Sequence, residues 1–443
     1  MLETITIFIL ACFLGMISGL LPGIGGFAIM IMAFPFLLHI DPINVLIFYV
    51  TLVSIDQYFN AISSILFAIP GSSTSAPTIL EGHTLFRQGK GEEAILYSAI
   101  TSWISSIFGI TFVLLCIPLM PFVYAVWNTH IQATVFSFVI FGLIFFSNNK
   151  IFINLILFVI GNLLAYVGWS SVTHSAFLTF GLPELYTGLP LLPIMIALYI
   201  FPLLLNNTLA YNTQFNFEKL NFSSYFEAFK KLLRYKATIC RSSILGALGG
   251  LVPGLTYGMS TVLAYNVEKL NEIRKKSYKI GNMKCLIASE GSNNAGVITQ
   301  LIPFLFLGIP ITGSEALIYD ILETQRVILT IDWFQGTFSI IFFTFLISST
   351  IGLFLAGKYV NFLSILNGIS LTKIYLFIAA LLLIVLFYSS VNTYMGIYQL
   401  ILVACLLPFG YFLKSFDNMP LIFGFILHPL LYDIFYRISY LYL

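Results

Sequence analysis

The sequence is poor in charged residues. Asp, Glu, Lys and Arg make up only 9% of the 443 residues, whereas 59% are apolar, and a soluble globular domain has about 25% charged residues. This deficit excludes an ordinary soluble domain. Apolar segments long enough to cross about 30 Å of hydrocarbon recur along the chain, and they lack the strict alternation of barrel strands. The composition therefore predicts an all-α polytopic membrane protein.

Residues that build metal centres and catalytic dyads are also scarce. The five cysteines are scattered without a Cys-x-x-Cys pair, and the five histidines lie far apart, so the spacings support neither a metal site nor a catalytic histidine. The net charge of +2 comes without a basic cluster interleaved with aromatic residues, which argues against a nucleic-acid partner. We expect no enzyme activity and no cofactor other than a coupling ion.

Two pairs of proline-containing breaks interrupt the apolar segments, in the same order in each half of the chain. The first break reads GLLPGIGG at 19–26 and GLVPGLTYG at 250–258. The second break reads FAIPGSS at 67–73 and LGIPITGS at 307–314. Proline removes a backbone donor and glycine permits special dihedral angles, so each break leaves helix ends whose polar groups need partners. The repeated order indicates two related halves.

The basic residues predict how the halves are oriented, because Lys and Arg of short loops stay in the cytoplasm. The segment 242–267 lies between two basic stretches, 219–241 and 269–284, and a single crossing would place one of them outside. A re-entrant hairpin that turns at Pro253-Gly254 keeps both stretches inside. A single span with a kink is the alternative. With the hairpin, the two halves have opposite orientations.

We therefore predict two inverted-topology repeats, each with a Pro-Gly-broken re-entrant hairpin and about five transmembrane helices. The expected boundaries are 1–210 for the first repeat, 211–241 for a cytoplasmic linker and 242–443 for the second repeat. Four apolar residues of the linker recur at helical spacing: Phe222, Phe226, Phe229 and Leu233. They predict an amphipathic helix, either in the cytoplasmic membrane interface or as an ordinary linker.

The polar residues beside the breaks predict where a solute binds. A helix that starts after Pro70-Gly71 presents free N–H groups and positive dipole, and the hydroxyls that follow add donors, which together suit a carboxylate. The alternative is that the hydroxyls only cap the freed backbone. The candidate substrate-binding residues are Pro22, Gly23, Pro70, Gly71, Ser72, Ser73, Thr74, Ser75, Pro253, Gly254, Pro310, Thr312, Gly313 and Ser314.

Two polar clusters fall inside apolar segments, where polar groups are costly and mark functional sites. The first follows one face of the span 44–69, and the second lies in SEGSNNAG at 289–296. Their oxygens are hard ligands that suit Na⁺, and Glu290 can instead carry a proton. An interfacial helix cap is the alternative for the second cluster. The candidate coupling-ion residues are Asp56, Asn60, Glu290, Asn293 and Asn294.

These motifs resemble the large membrane subunit of the tripartite tricarboxylate transporter family. The resemblance is densest in GLLPGIGG, AIPGSSTSAPTILEGHTLFRQGKGEEAI, GGLVPGLTYGMSTVLAYNVEKL and SEGSNNAGVITQLIPFLFLGIPITGSEALI. It implies Na⁺- or H⁺-coupled uptake of small organic carboxylates across a prokaryotic inner membrane. It also implies a small membrane subunit and an extracytoplasmic solute-binding protein as partners, while the oligomeric state, including a homo-oligomer, stays open.

The chain departs from the pattern of that family at the expected site. The sequence at 58–61 is Tyr-Phe-Asn-Ala where the family often has Tyr-Gly-Gly-Ser, Ala68 replaces an asparagine, and Ile311 replaces a glycine. These departures leave the substrate open, so transport of a non-carboxylate solute is one alternative and an uncoupled channel-like pore is another. An intramembrane enzyme is disfavoured, because no nucleophile and base pair is apparent. The expected mechanism is alternating access.

Overall fold

Helices account for most of the chain in the computed structural model. The structure describes residues 2–20, 26–67, 76–126, 128–146, 149–170, 175–202, 222–252, 257–329, 331–366, 380, 383–384, 386, 393–418, 420–425, 427–428 and 431–432. Within these residues, the helices of seven or more residues are α1 Leu2–Leu20, α2 Gly26–Leu37, α3 Pro42–Phe67, α4 Gly91–Cys116, α5 Thr129–Phe146, α6 Ile151–Ala165, α7 Phe222–Leu232, α8 Lys236–Leu251, α9 Tyr257–Arg274, α10 Met283–Thr299, α11 Leu301–Leu307, α12 Gly313–Thr324, α13 Ile331–Leu366 and α14 Thr393–Phe412.

Five helical segments of the described chain are long and apolar enough to cross a membrane, which confirms a helical membrane protein. They are Leu2–Gly19, Pro42–Leu66, Phe86–Phe122, Trp333–Gly357 and Ile397–Ser415. The apolar segment 285–308, which the sequence predicts to cross the membrane once, is divided into α10 and α11. Pro303 accounts for this division, because it lacks the N–H that would bond to the carbonyl of Thr299.

A small β-hairpin departs from the all-α expectation. Strand β1, Gly168–Ser170, pairs antiparallel with β2, Ser175–Phe177, and Trp169 lies opposite Ala176. Both strands lie before the short 3-10 helix Pro183–Thr187. A hairpin with only three paired residues in each strand is marginally stable by itself, so it is a local feature of this connection.

In the first half, α1 packs along α3 with both helices running in the same direction. Gly15 lies against Leu52, and Gly19, one turn later, lies against Asn60. A Cβ on Gly19 would be 2.7 Å from the backbone nitrogen of Asn60, so the close approach requires glycine. Helix α2 runs back, because its first residue, Gly26, is beside the middle of α3 and its last turn leads directly into the start of α3.

The second half contains the same arrangement of α8, α9 and α10. Gly246 of α8 lies against Ser292, and Gly250 lies against Gly296 further along α10, so α8 and α10 are parallel. Tyr257, the first residue of α9, also lies beside Gly296. The salt bridge between Arg241, in the second turn of α8, and Glu268, near the end of α9, makes these two helices antiparallel.

Helices α3 and α10 form the centre of the molecule and run in opposite directions. Gln57 of α3 contacts Asn293 of α10, while Gly82, packed against Ile65 near the end of α3, also faces Leu286 near the start of α10. Helix α13 packs on α3 and α4 packs on α10. All residues of α10 from 285 to 299 are buried, so its polar side chains meet other side chains and not lipid.

The predicted amphipathic helix of the linker is present as α7. Its Tyr225 hydroxyl donates a hydrogen bond of 3.1 Å to the carbonyl of Leu353, and Ala228 and Leu232 are buried beside it. Three of the residues that predicted the helix remain exposed: Phe226, Phe229 and Leu233. The helix therefore packs on the protein through a different face from the phenylalanine stripe, which is left at the surface.

Candidate functional site

Several residues of the predicted substrate site lie outside the described residues. They are Pro22, Gly23, Pro70, Gly71, Ser72, Ser73, Thr74, Ser75, Pro253 and Gly254. The four that are described precede or begin α12, where Pro310, Gly313 and Ser314 are buried and Thr312 is half-buried. The candidate site is built from these four residues and from the polar side chains of α3 and α10.

The Asp56 carboxylate binds the first residue of α2, directly after the first break. Ser18 of α1 donates a hydrogen bond of 2.5 Å to Oδ1, and the backbone N–H of Gly26 donates another to the carboxylate. A negative charge at a helix N-terminus is favourable, because the unsatisfied N–H groups and the dipole attract it. Asp56 therefore joins α1, α2 and α3, while the neighbouring candidate Asn60 is buried against Gly19.

Glu290 of α10 lies in a pocket of hydroxyl groups. The Thr78 hydroxyl donates to Oε1 at 2.5 Å, and Ser102 of α4 lies 3.5 Å from Oε2. Ser98, one turn earlier in α4, also faces the carboxyl group. Asn294 extends the network by donating to Ser102 at 2.8 Å. The carboxyl group is thus inside the protein, where it bonds to neutral donors and forms no ion pair within the described residues.

The two polar clusters predicted separately from the sequence meet at the centre of the molecule. The amide of Asn293 donates a hydrogen bond of 2.6 Å to Gln57, and the Tyr257 hydroxyl at the start of α9 also bonds to Gln57. The oxygen of Asn293 is buried without a hydrogen-bond partner in the described part of the chain. The start of α9 is therefore adjacent to both clusters.

Glu315, which the sequence reasoning did not select, organises the second break of the second half. Its Oε2 accepts hydrogen bonds from the backbone N–H groups of Ile311 at 2.7 Å and Thr312 at 3.0 Å. The Thr312 hydroxyl in turn accepts a hydrogen bond of 3.3 Å from the Glu315 N–H. This is a capping box, and its signal, Thr-x-x-Glu, is visible in TGSE at 312–315.

Glu81 is a second residue whose role the sequence reasoning missed, although Glu81-Gly82 carried part of the family resemblance. Its Oε1 accepts hydrogen bonds from the hydroxyls of Tyr265 and Tyr278, both at 3.0 Å. Its Oε2 accepts from the backbone N–H groups of Gly281 and Asn282, both at 2.7 Å. Four donors on one fully buried carboxylate fasten the segment after the first-half break to the loop in front of α10.

The buried carboxylates of these sites do not form a metal-binding cluster. Within the described residues there is no group of three or more His, Cys, Asp or Glu side chains that could hold a metal ion. The three carboxylates Asp56, Glu290 and Glu315 are separate, and each lies beside a helix start or a hydroxyl cluster. Buried carboxylates and amides at helix breaks are the groups with which membrane transporters hold ions and solutes.

Comparison with known proteins agrees with the resemblance in the motifs. The sequence profile described as the Tripartite tricarboxylate transporter TctA family matches residues 5–423. An uncharacterised 52.8 kDa protein of Agrobacterium vitis, named after the TAR-I ttuC' 3' region, is 26% identical over 433 residues, covering 94% of this chain and 83% of that protein. An uncharacterised protein of Methanocaldococcus jannaschii is 24% identical over 435 residues, covering 95% of this chain and 96% of that protein. No solved structure matches the chain.

Proposed function

The chain belongs to the tripartite tricarboxylate transporter TctA family, and from that membership we propose that it is a secondary active transporter of small organic carboxylates. Uptake is coupled to Na⁺ or H⁺ and proceeds by alternating access across a prokaryotic inner membrane. Because the family works in tripartite systems, the proposed partners are a small membrane subunit and an extracytoplasmic solute-binding protein. The family is one of transporters, so the activity is transport and not catalysis.

The observation that carries ion coupling is the position of Glu290. Its carboxyl group is buried on a central helix among hydroxyls, next to Thr78, which follows the break that starts at Pro70. A carboxyl group inside a membrane protein is costly, and such groups mark ion or proton pathways. Binding of a cation or proton at Glu290 changes the charge beside that break, and it thereby links the ion to the predicted carboxylate site.

Inverted repeats are the part of the proposal that explains alternating access. Helix α1 is parallel to α3, α8 is parallel to α10, and the two central helices α3 and α10 are antiparallel. Two halves with the same internal packing and opposite direction are the arrangement expected of inverted repeats, in which one unit moves relative to another around a central site.

Re-entrant hairpins are supported by the contacts within α8 and α9. The 2.5 Å salt bridge between Arg241 and Glu268 and the close approach of Gly249 to Ser260 hold the two helices side by side. In a single kinked span the ends would point away from each other, because 27 residues of continuous helix extend about 40 Å. The contacts therefore favour the hairpin over the kinked span.

The test is uptake of a panel of labelled carboxylates into proteoliposomes that contain only this chain. Each carboxylate is measured with an inward Na⁺ gradient, with a pH gradient and with neither. The proposal expects saturable uptake that follows one of the gradients. Uptake that neither saturates nor responds to a gradient would indicate the channel-like pore. If no carboxylate enters, the assay is repeated with the two partner proteins, and failure there would leave a non-carboxylate solute as the alternative.

A further inference from the structure

Helix α7 and the 3-10 turn that follows it, Leu233–Tyr235, are held at both ends against membrane spans. Near the start of α7, the ring of Tyr225 packs on Phe354 with 6.1 Å between the ring centroids, in the last turn of the candidate span Trp333–Gly357. At the other end, the ring of Tyr235 packs on Tyr97 with 6.1 Å between the centroids, in the second turn of α4.

These two contacts place α7 at the level of the membrane surface. One contact is at the end of a span and the other is near the beginning of another span. Arg87 and Lys90 precede α4, and Lys358 follows the span that ends at Gly357, so the basic residues predict that both of these ends are cytoplasmic. With both contacts at that level, α7 runs along the membrane surface and does not project away from it.

The phenylalanine stripe of α7 is turned away from the protein. The residues that pack on the protein are Tyr225, Ala228 and Leu232. The exposed residues of the stripe are Phe226, Phe229 and Leu233. Each of them directly follows a packed residue, and one residue turns a helix by about 100°, so the stripe faces sideways from the protein contact. Exposed aromatic and aliphatic side chains at the level of a membrane surface suit the boundary between head groups and acyl chains.

A basic stripe lies beside the phenylalanine stripe. Lys230, Lys231 and Arg234 are exposed, and neither ion pair of the described residues uses them. Lys230 Nζ lies 4.4 Å from the centroid of the Phe226 ring, so the charge and the apolar group share one surface. Glu227 is the single acidic residue of α7. This surface is therefore apolar on one side and positively charged on the other.

We propose that this surface of α7 binds anionic phospholipid of the cytoplasmic leaflet. The phenylalanine stripe enters the boundary between head groups and acyl chains, and the three basic side chains bind the lipid phosphate groups. The charge of the surface decides for lipid, because anionic lipids attract basic residues next to a membrane span. Bound lipid fastens the linker between the two halves of the chain to the membrane surface. The inference is independent of the proposed transport and of its coupling ion.

The test measures which lipid lies beside α7 when the full chain is reconstituted into phosphatidylcholine bilayers. Phe229→Cys is introduced into a chain whose five native cysteines are replaced, and it is labelled with an apolar fluorophore, which keeps this position apolar. A small fraction of the lipid carries a spin label near its head group, on either phosphatidylglycerol or phosphatidylcholine. The spin label quenches the fluorophore only at short range, so quenching reports the lipid beside α7.

The charge variant combines Lys230→Gln, Lys231→Gln and Arg234→Gln. The matched control combines Arg274→Gln, Lys275→Gln and Lys276→Gln, which remove the same charges from exposed positions at and after the end of α9. All six side chains are exposed, so the variants are expected to fold. Unchanged elution and an unchanged unfolding midpoint establish this for each variant.

Both spin-labelled lipids are expected to quench the fluorophore, and phosphatidylglycerol should quench it several times more strongly at equal content. The charge variant should lose this preference, while the matched control should keep it. The proposal is overturned if the labelled chain shows no preference, if the charge variant keeps the preference, or if neither lipid quenches. In the last case, emission typical of an apolar environment would show that a protein surface, such as a second copy of the chain, covers the stripe, and emission typical of water would show that nothing covers it.

Discussion

Asn293 of α10 donates a hydrogen bond of 2.6 Å to Gln57 of α3, and this bond joins the two halves of the chain at their centre. The donor and acceptor are 236 residues apart in the sequence. Both side chains are buried, so neither amide has bulk water as an alternative partner. The bond therefore contributes to stability and to the relative position of α3 and α10.

Replacing Gln57 by leucine is expected to destabilise the protein by about 1–3 kcal/mol, because the Asn293 amide is left buried without an acceptor. The measurement is the thermal unfolding midpoint in detergent. Gln335→Leu makes the same chemical change at an exposed position of α13 and should have little effect. The double variant Gln57→Leu with Asn293→Leu should recover part of the loss, since both polar groups are then gone. Equal unfolding midpoints for Gln57→Leu and Gln335→Leu would contradict the prediction.

Replacing Glu81 is expected to lower the stability of the protein by an amount that depends on how many of its hydrogen bonds are lost. Glu81→Gln keeps one acceptor for the N–H groups of Gly281 and Asn282, and the tyrosine hydroxyls can rotate to accept from the new amide. Glu81→Ala leaves those half-buried N–H groups without their acceptor, at about 1 kcal/mol for each hydrogen bond. The unfolding midpoint should therefore fall in the order unaltered chain, Glu81→Gln, Glu81→Ala. A Glu81→Ala midpoint equal to that of Glu227→Ala, an exposed change on α7, would refute this role.

Features that depend on neighbouring residues can be predicted from this sequence. Contacts between residues far apart in the sequence cannot, because they depend on how the helices pack. The break between α11 and α12 follows from Gly308 and Pro310, which act on their own backbone, and the linker helix follows from its spacing. The partner of Glu290 does not follow, because Thr78 is 212 residues away and is brought there by the packing of the two halves. Spacing likewise predicts the α7 helix. It does not predict that Tyr225 attaches this helix to the protein while the phenylalanine stripe stays exposed.

Removing the charge of Glu290 is expected to uncouple transport. In Glu290→Gln the side chain has nearly the same shape but no longer binds a proton or offers a carboxylate to Na⁺. Gradient-driven uptake in proteoliposomes should fall to the level measured without a gradient. Thr78→Val removes the 2.5 Å hydrogen bond to the carboxyl group and should alter the concentration of coupling ion at half-maximal uptake. Glu323→Gln is the control, and full gradient-driven uptake by Glu290→Gln would exclude Glu290 as the coupling residue.

Gly250 allows α8 to approach α10 closely, and its replacement by alanine is expected to cost about 1–3 kcal/mol of stability. A Cβ there would lie 2.5 Å from the carbonyl oxygen of Gly296 and 3.0 Å from the nitrogen of Gln300. Both are backbone atoms, so they cannot rotate away. Gly336 in α13 is the matched control, because a Cβ at this position meets nothing within 4 Å. Gly336→Ala should raise the unfolding midpoint slightly, since alanine favours helix by about 1 kcal/mol.

The proposed re-entrant hairpin of α8 and α9 predicts that both of its outer ends face the same side of the membrane. Lys236 begins α8, Lys275 follows the end of α9, and both are exposed. Single cysteines at these positions are introduced in turn into a chain whose five native cysteines are replaced, and are treated with an impermeant maleimide in vesicles of known orientation. Leu182→Cys lies in the segment 169–188, which contains no Lys or Arg and is therefore predicted to lie outside, and it is the reference for the outer side.

The basic stretches at 219–241 and 269–284 predict that both ends of the proposed hairpin are cytoplasmic. Neither Lys236→Cys nor Lys275→Cys should therefore react from outside until the vesicles are permeabilised, whereas Leu182→Cys should react at once. A kinked span would separate the two ends, and one of them would then react from outside. That result would also contradict the Arg241–Glu268 salt bridge, because two groups on opposite faces of a bilayer cannot be in contact. The labelling pattern thus tests the hairpin and the inverted orientation of the second half in one experiment.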